Sequence, residues 1–186
     1  MGREQFRNPE PILDDIRKLV KSGDFTLGKE LEKFEETFSA FITTHYGIGV
    51  GSGTDALRLS LLSLGIGPGD EVITAANTFY ATAGAIATAG AKPVFVDAGE
   101  DYAIDAELIE GAITEKTKAI IPVHLHGIPA DMKAILKIAE RHSLAVVEDA
   151  CQAIGAEIDG RKVGSFGASG CFSFHPRKSV TTGEGG

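Results

Sequence analysis

Apolar positions in the first forty or so residues recur at helical spacing. Ile12, Leu13, Ile16, Leu19 and Val20 follow Pro9 and Pro11, and Gly23 falls where a C-terminal glycine stops a helix. Leu31, Phe34, Phe38, Phe41 and Ile42 repeat the stripe, with Glu30, Glu32, Lys33, Glu35 and Glu36 on the opposite face. The pattern predicts two surface helices, each packing one stripe inward. From Gly47 the texture changes to short β-type runs alternating with helical ones. Strands are predicted at 48–51, 71–75, 93–97, 119–123, 145–149 and 170–174, and helices at 55–64, 78–89, 106–113 and 130–142. Such alternation is that of βαβ crossovers, so the expected fold class is α/β, a mostly parallel sheet with helices on both faces. Ligands of such sheets sit at the carboxyl ends of the strands. The stretch 157–163 interrupts the alternation, and its Asp159-Gly160 pair predicts a two-residue hairpin. After Phe174 the chain ends in a glycine-rich polar segment with no predicted packed element, which reads as an interrupted chain.

Composition narrows the function classes. The chain has 186 residues, 43% hydrophobic and 24% charged, one domain's worth of sequence with enough apolar surface to close a core. With 26 acidic against 18 basic residues the formal charge is −8, which argues against a general nucleic-acid binder while leaving room for one small basic pocket. Cys151 and Cys171 have neither zinc-site spacing nor disulfide-scaffold density, so a reducing compartment and no metal are expected. Residues 1–10 lack an apolar signal core, and the small-apolar stretch 81–91 is too short to span a bilayer. A soluble, cytoplasmic protein without membrane association is expected.

Three segments carry candidate chemistry. Gly51-Ser52-Gly53-Thr54-Asp55-Ala56-Leu57 lies between a predicted strand and helix, where small residues and free amides suit a phosphate; an ordinary turn capped by Thr54 or Asp55 explains the same residues. Gly51, Gly53 and Ala56 also fit a GxGxxA dinucleotide pattern, but the second strand ends in Ala75-Ala76-Asn77 without the acid that holds a ribose, so a single phosphate fits better. Val146-Val147-Glu148-Asp149 delivers two acids at a strand's end, of which only one can face a given ligand. Lys178, after His175-Pro176-Arg177, can form an imine with a carbonyl compound if burial or the neighbouring Arg177 lowers its basicity; a solvated lysine is the plainer alternative. His124 and His126 sit two apart without a completing ligand, which favours structural histidines over a metal site, and His45 and His142 are placed at helix C-terminal ends. Phe79 and Tyr80 open a helix and suit either a core or a stacking wall for a flat ring.

Together, a phosphate cradle, a strand-end acid, a planar aromatic and an imine-capable lysine on one sheet edge match the needs of pyridoxal 5′-phosphate. Over essentially its whole length the sequence resembles the DegT/StrS-like sugar aminotransferases, a branch of the fold-type I pyridoxal-phosphate enzymes. The likeness is carried by Ser22-Gly23 through Leu27-Gly28, Val50 through Leu57, Gly67-Pro68-Gly69-Asp70-Glu71-Val72-Ile73, Thr78-Phe79-Tyr80-Ala81-Thr82, Pro93 through Asp97, Val147-Glu148-Asp149-Ala150, and Phe172-Ser173-Phe174-His175 leading to Lys178 and Thr182-Gly183-Glu184-Gly185-Gly186.

The resemblance implies roles by position. Lys178 is the imine-forming lysine, Asp149 the partner of the pyridine nitrogen, Gln152 the donor to the phenolic oxygen and Phe79 the ring that stacks on the cofactor. Gly53, Thr54 and Asp55 form the phosphate cradle, with Ser173 adding its hydroxyl. Two positions depart from the family pattern: Arg177 stands before the lysine where a small residue is usual, and Ser179 follows it where Asn is common. The resemblance also implies a division into an N-terminal helical segment at 1–46 and an incomplete pyridoxal-phosphate-binding large domain at 47–186. It implies a homodimer that takes a nucleotide-linked keto sugar and an amino-acid donor, glutamate. The rival readings are a noncatalytic pyridoxal-phosphate-binding regulator and a nucleotide-binding oxidoreductase domain.

Overall fold

The computed structural model describes residues 7–186, so the polar reading of residues 1–6 lies outside the described residues. The chain divides into two compact units, one ending at Gly49 and the other spanning Val50–Gly186.

The first unit holds two helices. Helix α1, Glu10–Ser22, carries a proline in its first turn and closes on Gly23, whose φ of 73° only glycine adopts freely. Helix α2, Lys29–Ile42, starts after Gly28 and stacks Phe34 on Phe38 with ring centroids 5.6 Å apart. Both helices were legible, but inward packing holds for α2 alone, where Ile42 is buried. No residue of α1 is buried, and Ile12, Leu13, Ile16 and Val20 are 39–61% exposed. Periodicity identifies an apolar face; it does not say what covers it.

The second unit is a parallel α/β sheet. In chain order it comprises α3 (Gly53–Ser63), β1 (Glu71–Ala75), α4 (Tyr80–Thr88), β2 (Lys92–Val96), α5 (Ala106–Ala112), β3 (Thr117–Ile121), α6 (Met132–His142) and β4 (Ala145–Asp149). A hairpin of β5 (Glu157–Ile158) and β6 (Arg161–Lys162) then precedes β7 (Ser169–Cys171). The main sheet runs β2-β1-β3-β4-β7, with every neighbouring pair parallel. Alternating strand residues feed opposite faces. Val72, Ala119, Ile121 and Val147 join Leu57, Leu61, Ala85 and Ile86 of α3 and α4. Ile73, Ile120 and Val146 join Ile109 of α5 and Ile135, Ile138 and Ala139 of α6. Each buried leucine or isoleucine contributes about 1.5–3 kcal/mol, and the expected cover of helices on both faces follows from this alternation.

The hairpin turns at Asp159 and Gly160, with φ of 51° and 78°, as a twisted two-residue turn requires. Beyond end shifts of one or two residues, two expected features differ. Residues 48–51 form no strand; instead Val50 and Gly186 exchange both backbone hydrogen bonds, at 2.9 and 3.0 Å. That pairing also packs the glycine-rich end, which the sequence reading left without a packed element. Strand β7 stops at Cys171, short of the expected 174, because its partner β4 ends at Asp149, which pairs with Cys171; Phe174 instead donates to Gly185 and accepts from Thr182. Among the described residues no helix is long and apolar enough to cross a membrane.

Candidate functional site

Strand β4 ends in two acids whose side chains point to opposite faces. Glu148 is fully buried and accepts four hydrogen bonds, from the amides of Gly164 (2.7 Å), Phe166 (2.6 Å) and Gly167 (2.8 Å) and from His124 Nε2 (3.1 Å). The Ala130 amide donates to His124 Nδ1 at 3.1 Å, so Nδ1 carries no proton and Nε2–H is the donor to Glu148. Burial pushes the Glu148 pKa up, but the bonds from His124, Gly164 and Gly167 outweigh it and hold the carboxyl below its ordinary value. Glu148 and His124 thus fasten the 164–167 loop and the turn after β3. His124 is the structural histidine expected, whereas His126 is exposed. His142 ends α6, but His45 lies beyond the end of α2 rather than in its last turn.

Asp149 faces the other way. It is 5% exposed, Oδ2 accepts from Thr82 Oγ1 at 2.7 Å, and Oδ1 accepts from the Cys151 amide at 3.2 Å. A carboxylate offers about four lone-pair positions, so capacity remains for a ring N–H.

Helix α3 begins beside the end of β7. Ser52 caps it: Ser52 Oγ accepts from the Asp55 amide at 3.1 Å and donates to Asp55 Oδ2 at 2.9 Å. Neither Thr54 nor Asp55 is the cap, and the Asp55 amide is already committed to Ser52. Gly53 and Thr54 are the remaining first-turn amides without an intrahelical acceptor. A Cβ at Gly53 would lie 2.7 Å from Ser173 Cβ and 2.8 Å from Cys151 Sγ, so only glycine lets the helix start approach Ser173 this closely. Ser173 is buried, and its hydroxyl accepts from the His175 amide at 3.4 Å.

Lys178 follows a turn in which its own amide donates to the His175 carbonyl at 2.9 Å. Its Nζ lies 6.0 Å from the centroid of the Phe79 ring, which is 53% exposed and 4.4 Å from the Tyr80 ring. Burial and the Asp149 carboxylate push the Cys151 thiol well above its ordinary value, and the Lys178 charge opposes that shift. Gln152 Oε1 accepts from the His126 amide at 3.2 Å, which leaves its amide nitrogen as the end free to donate.

The structure thus brings Gly53 to Ser173, Phe79 to Lys178, and Asp149 beside Cys151, and sets Gln152 on the turn after β3. The sequence reading missed Ser52, Thr82 and the His124–Glu148 brace. Ser52 was findable from the Ser-x-x-Asp spacing of a capping box. Thr82 gave no signal, because its partner is 67 residues away. These residues fit pyridoxal phosphate: the glycine-lined helix start suits its phosphate, the buried acceptor its ring nitrogen, and the aromatic face beside an amine its flat aldehyde.

The site lies at the carboxyl ends of the strands of a parallel α/β sheet, where ligands of such sheets bind. The chain belongs to the DegT/DnrJ/EryC1/StrS aminotransferase family, whose model matches residues 8–186. It is 50% identical to the pleiotropic regulatory protein of Geobacillus stearothermophilus, over 98% of this chain and 50% of that protein. It is also 50% identical to the UDP-N-acetyl-3-dehydro-alpha-D-glucosamine 3-aminotransferase of Acidithiobacillus ferrooxidans, over 95% of this chain and 48% of that protein. Among solved structures, S. venezuelae DesV in complex with a ketimine intermediate matches with TM-score 0.95 and 45% identity, covering 100% of this chain and 51% of that one. NtdA from Bacillus subtilis with bound cofactor PMP matches with TM-score 0.86 and 43% identity, over 92% of this chain and 39% of that one. The chain spans about half the length of the curated relatives it matches.

Proposed function

We propose that this chain is the cofactor-holding portion of a pyridoxal-phosphate-dependent aminotransferase, working as a cytoplasmic homodimer. It exchanges the amino group of glutamate for the carbonyl oxygen of a keto sugar attached to a nucleotide. The observation that carries the reading is Asp149, a buried carboxylate at the carboxyl end of β4 whose two hydrogen-bond partners are donors. The printed name of the A. ferrooxidans relative supports the substrate class.

When bound, pyridoxal phosphate supplies an aldehyde that condenses with amines and a protonated ring that takes up the electron pair left when an amino acid loses its α-proton. Asp149 would accept a hydrogen bond from the protonated ring nitrogen and so hold the proton on that nitrogen. Gly53 and Thr54 offer amides to the phosphate, Ser173 adds its hydroxyl, and the Gln152 amide nitrogen donates to the phenolic oxygen. Phe79 covers one face of the ring and excludes water from it. Lys178 would hold the aldehyde carbon, and its amine would move the α-proton.

The test is the glutamate half-reaction of the full-length protein loaded with pyridoxal phosphate. Release of 2-oxoglutarate, one per site without added keto sugar, is the expected outcome. A regulator that retains the site would hold the cofactor and release none, and an oxidoreductase domain would take up a nicotinamide dinucleotide instead.

A further inference from the structure

We propose that Thr78 and Thr82 form a directional hydroxyl relay that positions Asp149, an inference that rests on the pyridoxal-phosphate reading above. A carboxylate only accepts, so the Thr82 hydroxyl spends its single proton on Asp149 Oδ2, at 2.7 Å. Thr82 Oγ1 also lies 2.8 Å from Thr78 Oγ1, and with its proton spent it must accept there, which makes Thr78 the donor. The second carboxylate oxygen is held by the Cys151 amide, a group that can only donate. Each oxygen of Asp149 therefore has one fixed donor, and the plane of the carboxylate is set. Thr82 is fully buried and Asp149 nearly so, which leaves little water to take the place of a lost hydroxyl.

The relay also ties two parts of the site together. Thr78 and Thr82 flank Phe79 and Tyr80, and the Thr82 amide donates to the Phe79 carbonyl at 3.1 Å. The segment that offers the stacking ring is thereby bolted to the strand end that offers the carboxylate. Thr82 is fully buried and would act through Asp149, so it is a positioning residue.

The experiment uses the full-length protein loaded with pyridoxal phosphate labelled with 15N in its ring, and reads the ring-nitrogen NMR shift alongside kcat and KM for glutamate. Losing a hydrogen bond to a charged group, the Thr82→Val substitution is expected to lower kcat about ten- to a hundredfold. KM should stay within about twofold, and the 15N signal should move toward its unprotonated position. Thr82→Ser, which keeps the hydroxyl, restores the wild-type signal, and Thr78→Val moves it less in the same direction and decides the matter should Thr82→Val not fold. A side chain that merely fills space would lower stability without moving the ring-nitrogen signal. A wild-type 15N shift in a folded, cofactor-loaded Thr82→Val or Thr78→Val protein overturns the relay while leaving the cofactor reading intact. Failure of the wild-type protein to take up pyridoxal phosphate overturns both.

Discussion

Glu148 and Asp149 are adjacent acids on one strand, and the fold uses them in opposite ways. Glu148 is surrounded by four donors, three of them backbone amides of one loop, and has no capacity left for a ligand. Asp149 has two donors, Thr82 and the amide of Cys151, whose Sγ lies against the start of α3 at Gly53. A buried charge is costly, so a fold keeps one only if it is fully bonded or if its open side has a use. Of two carboxylates that look alike in sequence, the under-coordinated one is the functional candidate.

The sharpest way to break this contrast is to truncate each acid in turn. Glu148→Ala leaves three amides and a histidine N–H without their acceptor and is expected to cost about 3–5 kcal/mol in denaturant unfolding. Asp149→Ala leaves a rotatable hydroxyl and one amide, so the fold survives, while the glutamate half-reaction falls about a hundred- to a thousandfold. Equal losses of stability in the two variants, or near-wild-type turnover in Asp149→Ala, would erase the distinction.

Acid titration sharpens it further. The folded-state pKa of Glu148 lies below its ordinary value of 4.5, so its contribution to stability is complete above that value and is lost as pH falls through the folded value. Unfolding followed from pH 7 downward should show stability declining below about pH 4.5, and Glu148→Gln should flatten part of that decline. An identical acid limb in the variant would mean that Glu148 is not the group being protonated.

Much of this fold was legible because its signals are local. The alternation of apolar runs with helical stretches gave the parallel sheet, and β1 and β4 fall on their expected residues. Other ends shifted where pairing rather than composition decides: β3 starts at Thr117 because Thr117 pairs with Glu71, although the apolar run begins later. The capping residue of α3 was misjudged because Ser52, Thr54 and Asp55 are all competent caps, and of the three it is Ser52 that stands three residues before an acid, the spacing of a capping box. The lysine, the strand-end acid and the glycine-rich helix start were visible as residue types at strand ends. Their supports were not, since Thr82, His124 and the 164–167 loop reach the two acids through contacts between distant parts of the chain.

The most direct measurement is borohydride reduction of the full-length protein loaded with pyridoxal phosphate, followed by peptide mapping of the pyridoxyl label. The expected result is a single label on Lys178. A label on any other lysine, with Lys178 unmodified, would contradict the assignment of this sheet edge as the cofactor site.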